Sequence, residues 1–214
     1  NSDNGTVTIG TTVDFATVNN NFTVSGEAQD RYVATDGEDA GNNCRFEIDP
    51  CATIQHAVDM ANSGDTVMVG DGEFVGGVNV VNKNITIKGT GRTNTTTITA
   101  PNTPLPACGP DNWTGVVCIQ NSNVTVRDLI VDGDNQGAAN NRFSGILFSR
   151  SGGLVSNVET VRTQVSPTSG AQRGYGIAQL NSDNVPRKLR VFNSLLHEYQ
   201  KAGIQAAGVA GTGL

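Results

Sequence analysis

Short runs of alternating apolar and polar residues fill most of this chain, and one stretch departs from that pattern. Ile54, Ala57, Val58 and Ala61 recur at i, i+3, i+4 and i+7, which makes a single apolar stripe. The spacing predicts a helix over about residues 53–62, with Thr53 as N-cap and Gly64 as the stop. After Gly64 only short strands are predicted, at Thr66–Val69, Val78–Val81, Asn84–Ile87 and Thr96–Thr99. Before the helix, residues 1–30 read as a polar extension with two edge-type or donor-type strands, Val7–Val13 and Phe22–Ser25.

A longer repeat follows. Gly115-Val116, Gly145-Ile146, Gly176-Ile177 and Gly203-Ile204 begin equivalent strands roughly every thirty residues. Second strands follow the first three, at Val124–Leu129, Leu154–Val158 and Leu189–Leu195, and each carries Asp or Asn, at Asp128, Asn157 and Asn193. Two or three short strands cannot bury their inner face alone, whereas successive turns stacked about 4.8 Å apart bury it together. Inner positions then take modest aliphatics, and corners take Gly and Asn, which tolerate left-handed backbone. Asn at equivalent corners can also form a hydrogen-bonded ladder. The pattern predicts an all-β solenoid, a parallel β-helix over residues 31–214, with loops 101–114, 133–143, 163–173 and 181–188 leaving toward one side. A β-sandwich would give turns every 8–12 residues but no reason for a period near thirty.

Composition narrows the picture. Of 214 residues, 36 % are hydrophobic, only 5 % aromatic, and 26 are glycine, which suits a narrow aliphatic core better than a deep one. The net charge of −6, without a Lys/Arg cluster, excludes a nucleic-acid footprint. No apolar stretch approaches the roughly 20 residues of a membrane span, and Asn1 in place of Met is what a processed mature form would show. The cysteines fall into two close pairs, Cys44 with Cys51 and Cys108 with Cys118, and each flanks a turn-rich loop. Local disulfides are the simplest pairing; metal binding is the rival, but there is no CxxC, and His56 and His197 are read as far from the cysteines. Disulfides place the chain in a secreted, oxidised setting. Sequons at Asn4, Asn21, Asn84, Asn94, Asn112 and Asn123 point to a glycoprotein.

The stretch Tyr32-Val-Ala-Thr-Asp-Gly-Glu-Asp, then Pro50-Cys-Ala-Thr-Ile-Gln-His-Ala-Val-Asp-Met-Ala, Gly64-Asp-Thr-Val-Met-Val and Gly72-Glu-Phe-Val-Gly-Gly-Val, resembles the opening of pectate-lyase-like right-handed parallel β-helix proteins. The resemblance covers about residues 31–90, with residues 115–214 as looser repeats. It implies a right-handed solenoid whose N-terminal end is capped by the helix. Such proteins include polysaccharide lyases and hydrolases, adhesins and surface proteins, so the frame leaves the activity open.

A lyase of that kind needs calcium ligands and a base that removes the proton α to a uronate carboxylate. Asp128, Asp132 and Asp134 cluster at a strand-to-loop junction, with Asn135 beside them, and Asp36, Glu38 and Asp39 form a second acidic loop. Calcium takes six to eight oxygens, and Asp36, Glu38, Asp39, Asp132 and Asp134 are its candidate ligands; no motif requires any other cofactor. The competing reading makes Asp128 a corner cap and Asp-Gly-Asp-Asn a turn. Arg142, Arg150 and Arg173, in or near the loops, are candidate contacts to a sugar acid or candidate bases, with Arg142 and Arg173 the catalytic candidates. His197, Glu198 and Tyr199 form a candidate relay, and Trp113 and Tyr175 are candidate stacking rings.

The run Lys201-Ala-Gly-Ile-Gln-Ala-Ala-Gly-Val reads as a coil in progress with no polar cap after it. Such an end is covered by more chain, by residues 1–30, or by a neighbouring copy. The third option predicts an extracellular structural or cell-surface protein, self-associating end to end into filaments through its uncapped end or its N-terminal strands. The alternatives are an enzyme or binding domain acting on polysaccharide, in the first case a lyase, and an adhesin.

Overall fold

A computed structural model describes residues 27–91, 96–168, 170 and 173–208. The expected strands at Val7–Val13 and Phe22–Ser25, the sequons Asn4, Asn21 and Asn94, and Val209 lie outside the described residues. The described chain is mostly β, with parallel sheets and one short helix.

The elements are β1 (Asp30–Val33), α1 (Ile54–Met60), β2 (Thr66–Val69), β3 (Gly72–Val75), β4 (Val78–Val81), β5 (Thr86–Lys88) and β6 (Thr96–Thr99), then β7 (Gly115–Gln120), β8 (Asn123–Asp132), β9 (Ser144–Ser149), β10 (Gly152–Val161), β11 (Tyr175–Asn181), β12 (Leu189–Phe192), β13 (Leu195–Leu196) and β14 (Ala202–Gly208). One sheet has five strands, in the order β14-β11-β9-β7-β4. The other has nine, along β1-β2-β5-β8-β10-β12, with β3, β6 and β13 to the side. From β7 to β12 the chain alternates between the sheets, β13 follows β12 in the same sheet before β14 returns to the other, and each of these strands pairs in parallel with its counterpart one repeat away.

The register shows why the repeat exists. Val78, Val117, Ile146, Ile177 and Ile204 are successive partners in the five-stranded sheet. Val67, Ile87, Val126, Val155 and Val191 are successive partners in the other. A further column runs Phe74, Ile98, Val131, Thr160 and Leu196. Members of all three columns pack in one apolar core that both sheets face. One expectation is corrected: the partner of Ile146 is Val117, one residue later than the Gly115-Val116 start predicted.

The glycines explain why Gly145, Gly176 and Gly203 recur at equivalent positions. A Cβ on Gly145 would lie 2.8 Å from the Gly176 carbonyl oxygen, and one on Gly176 would lie 2.7 Å from that of Gly203. Adjacent backbones approach too closely there for any side chain. Gly115 instead sits opposite Ser144, outside that glycine column.

Corners are made by left-handed residues. Asp128, Asn157 and Asn193 have φ of 59°, 53° and 48°, and the Asn157 Nδ2 donates to Asp128 Oδ1 at 2.8 Å. This is one rung of the kind of corner ladder that the sequence suggested, between Asn157 and Asp128. A second set, Asn82, Asn121 and Arg150, has φ of 55°, 49° and 49°, each directly after residues paired in register. At Asn193 the turn divides what was expected as one strand into β12 and β13.

The predicted helix is present but shorter. Thr53 is its N-cap, accepting from the His56 N–H, and Ala61 rather than Gly64 closes it. Ile54, Ala57, Val58 and Ala61 are all buried, and α1 packs on β1, β2 and β4. The loops also interlock: Leu105 N–H donates to Asn140 Oδ1 at 2.8 Å, Gln136 to Asn102 at 2.9 Å, and Gln164 to Asn135 at 2.9 Å. The disulfides are Cys44–Cys51 and Cys108–Cys118. The second ties the 101–114 loop to β7, in a small separate cluster with Trp113, Leu147, Tyr175, Ala178 and Leu180.

Candidate functional site

The apolar columns do not end alike. Ile146 and Ile177 are completely buried, yet their partner Ile204 on β14 is 53 % exposed. In the other sheet Val155 is completely buried, while its partner Val191 is only half-buried. Phe192 and Leu195 are exposed beside it. Among the described residues β12 and β14 each pair on one side only. The result is a face formed by open strand edges and partly exposed aliphatics, the arrangement that accepts another strand. The core also becomes more polar towards this face. Thr160 follows Val131 in its column, and Gln179 follows Phe148, its amide donating to the carbonyls of Ser151 at 2.9 Å and Arg187 at 3.3 Å.

The acidic candidates are engaged by protein groups. Asp128 accepts from Asn157 and pairs with Arg127 at 3.2 Å. Asp132 is buried and accepts from Arg162 Nε at 2.8 and 3.1 Å, with a further bond from Arg162 Nη2. The same guanidinium pairs with Asp134 at 3.2 Å. Hydrogen bonding to Asp132 raises the Arg162 pKa, against the opposing effect of burial. Arg162 therefore occupies the place a cation would take between Asp132 and Asp134; sequence reasoning missed it because it lies a full repeat away.

In the other loop, Asp39 accepts from the backbone N–H groups of Ala52 and Thr53 at 2.8 and 3.0 Å, and from the Thr53 hydroxyl at 2.6 Å. Burial opposes ionisation of Asp39, but these donors outweigh it and hold the carboxyl below its ordinary range. Glu38 accepts from the Ala40 N–H, and Asp36 is exposed. This loop ties down the start of α1.

The remaining candidates are spread out. Trp113 and Tyr175 are buried and stack on each other at 5.0 Å, so neither ring faces solvent as a sugar platform requires. Arg142 lies over Trp113 at 5.2 Å, and Arg173 is exposed. Arg150 forms one of the left-handed corners. His197 Nε2 is 2.9 Å from Glu159 Oε1, its Nδ1 is 3.7 Å from Glu198, and Tyr199 is exposed. The sequons Asn84, Asn112 and Asn123 are exposed.

One sequence inference is overturned. His56 is not far from the cysteines: its ring and the sulfurs of Cys44 and Cys51 lie within 4.8 Å of one another. The sulfurs are joined in a disulfide and offer no thiolate. No helix of the described residues is long and apolar enough to cross a membrane. Comparison with known protein families, curated proteins and solved structures finds no match for this chain.

Proposed function

We propose that this chain is a secreted right-handed parallel β-helix of the pectate-lyase-like kind, serving as an extracellular structural or cell-surface protein that self-associates through its final strands. Strands stacked in register, one repeat apart, with left-handed residues at equivalent corners, support the solenoid reading. Two disulfides fit an oxidising compartment.

The observation that carries the functional part is Ile204, half exposed at the end of a column whose other members are buried. Completing that column in a partner removes apolar area from water, at about 25 cal/mol per Å². A polysaccharide-acting reading would draw on Asp128, Asp132 and Asp134, and those carboxylates already have protein partners.

Sedimentation velocity over a wide concentration range, with electron microscopy of the concentrated material, tests the proposal. Assembly that grows with concentration is expected. Ile204→Asp should weaken it about five- to thirty-fold, the equivalent of about 1–2 kcal/mol. Wild-type protein that stays monomeric at the highest concentration would sink the reading.

A further inference from the structure

The disulfide loop in front of α1 carries the chain's one aspartyl-prolyl bond, Asp49-Pro50. We propose that this bond is a self-cleavage site: in mild acid the Asp49 side chain breaks its own peptide bond to Pro50, and the Cys44–Cys51 disulfide keeps the two pieces together. Such cleavage is independent of the assembly proposed above.

Proline decides which reaction is open. Beside an ordinary residue, an aspartyl side chain is attacked by the next backbone nitrogen and closes to a cyclic imide. Pro50 has no N–H to lose, so that route is shut. The remaining route runs the other way. A carboxylate oxygen of Asp49 adds to the Asp49 carbonyl carbon, and the C–N bond breaks. Its electron pair leaves with the Pro50 nitrogen, which takes a proton from the solvent. The products are a cyclic anhydride and a secondary amine. One water then opens the anhydride. One amide and one water thus become one carboxylic acid and one amine, and no oxidant or cofactor is needed.

The fold supplies what this step requires. Asn42 Nδ2 donates at 3.1 Å to the Asp49 carbonyl oxygen, the atom that turns negative as the carboxylate adds. The same amide donates at 3.1 Å to the Pro50 carbonyl, so it grips both sides of the bond. Asn42 is itself fixed, because its Oδ1 accepts from the Cys44 N–H at 2.7 Å and its carbonyl accepts from His56 Nε2 at 2.7 Å. A donor held in this way needs no reorganisation when charge develops. The nucleophile is unencumbered as well. Asp49 is exposed, and its carboxylate has no hydrogen-bond or ionic partner among the described residues. Asp39 in the same loop differs, since its carboxylate is engaged by Ala52 and Thr53.

The place of the cut gives it a consequence. Cys44 precedes it, Cys51 follows it, and the disulfide joins them across it. On the N-terminal side β1 stays paired with β2, and Arg31 stays bonded to Asp65. The cleaved protein is therefore two chains, residues 1–49 and 50–214, covalently joined until a dithiol reductant opens the bridge.

The test is incubation of the full chain at about pH 4 and pH 7, followed by denaturing gels with and without a dithiol reductant and mass spectrometry of the fragments. At pH 4 a single band is expected without reductant, and two fragments that meet at Asp49 and Pro50 with it. At pH 7, where the leaving nitrogen finds fewer protons, the cut should be slower. The folded protein should be cut at least about tenfold faster than the same chain unfolded in urea at pH 4, where only the intrinsic lability of the bond is left. Asn42→Asp keeps the acceptor for Cys44 and removes the donor, and it should slow the cut at least about tenfold, since one such donor is worth about 10²–10³ in rate. Pro50→Ala should abolish the cut. An uncut chain, a cut elsewhere, or equal rates in the folded and unfolded chains would each overturn the proposal.

Discussion

At the N-terminal end, α1 lays its apolar stripe on β1, β2 and β4, and Arg31 is buried against Asp65 with bonds of 3.0 and 3.1 Å. At the other end Ile204, Phe192 and Leu195 are exposed on strands that pair on one side only. The sheets run through both regions unchanged, so strand pairing is not what separates them. What differs is whether the terminal layer meets a group that completes it. Asp65 shows how many partners one completed end requires: it accepts from the N–H groups of Gln29 and Asn62, both at 2.9 Å, as well as from Arg31. A parallel sheet leaves one edge of its terminal strand unpaired wherever nothing covers it, and the face formed by β12 and β14 has no counterpart to Asp65 among the described residues.

The largest effect on this contrast is expected from breaking the closed end. Asp65→Ala leaves the Arg31 guanidinium buried without its carboxylate and should cost about 3–5 kcal/mol, read as a lowered urea midpoint. The same pair makes the closed end sensitive to acid. Burial opposes ionisation of Asp65, but the N–H donors of Asn62 and Gln29 and the Arg31 charge together hold its pKa below 3.8. The stability it contributes is therefore complete above about pH 4 and is lost as pH falls through the depressed folded value. Urea midpoints compared at pH 6 and pH 3 should fall less in Asp65→Asn than in wild type. An equal fall in both would assign the acid sensitivity elsewhere.

The middle-sized prediction uses one column and one residue type. Ile177→Ala should cost about 2–5 kcal/mol, because it opens a cavity among buried neighbours. At concentrations too low for assembly, Ile204→Ala should cost less than about 1 kcal/mol, since its side chain is already half in water. Equal losses at the two positions would mean that the final layer is covered in solution.

The smallest effect belongs to the corners. Asn157→Ala puts a β-carbon with no polar group at φ 53° and deletes the bond to Asp128. It should cost about 1–2 kcal/mol, and Asn157→Gly should recover part of that, since glycine adopts the same backbone freely. Matching losses in both would show that the side-chain bond, rather than the backbone, sets the corner.

Much of the frame was legible along the chain. The stripe of α1, the strands of β2, β4 and β6, the local disulfides and the equivalence of Asp128, Asn157 and Asn193 each depend on residues near in sequence or recurring at a regular interval. The error at Val116 is instructive. Gly115 looks like the other repeat glycines, but it pairs with Ser144, and Val117 rather than the equally buried Val116 joins the Val78–Ile146 column. The candidate site was less legible. Arg162 neutralises Asp132 and Asp134, His56 approaches the Cys44–Cys51 pair, and Trp113 is covered by Tyr175. The first and last of these meet across repeats, where no local pattern marks a partner.

The amino-acid sequence by itself determined the small aliphatic core, the single helix, the corners and the period, because period, propensity and left-handed tolerance are properties of residues and their spacing. Only the tertiary structure decided which charges cancel, which aromatic rings are hidden and which layer is left uncovered. Those outcomes depend on what is stacked above and below a residue, and in this chain the neighbour above is about thirty positions away.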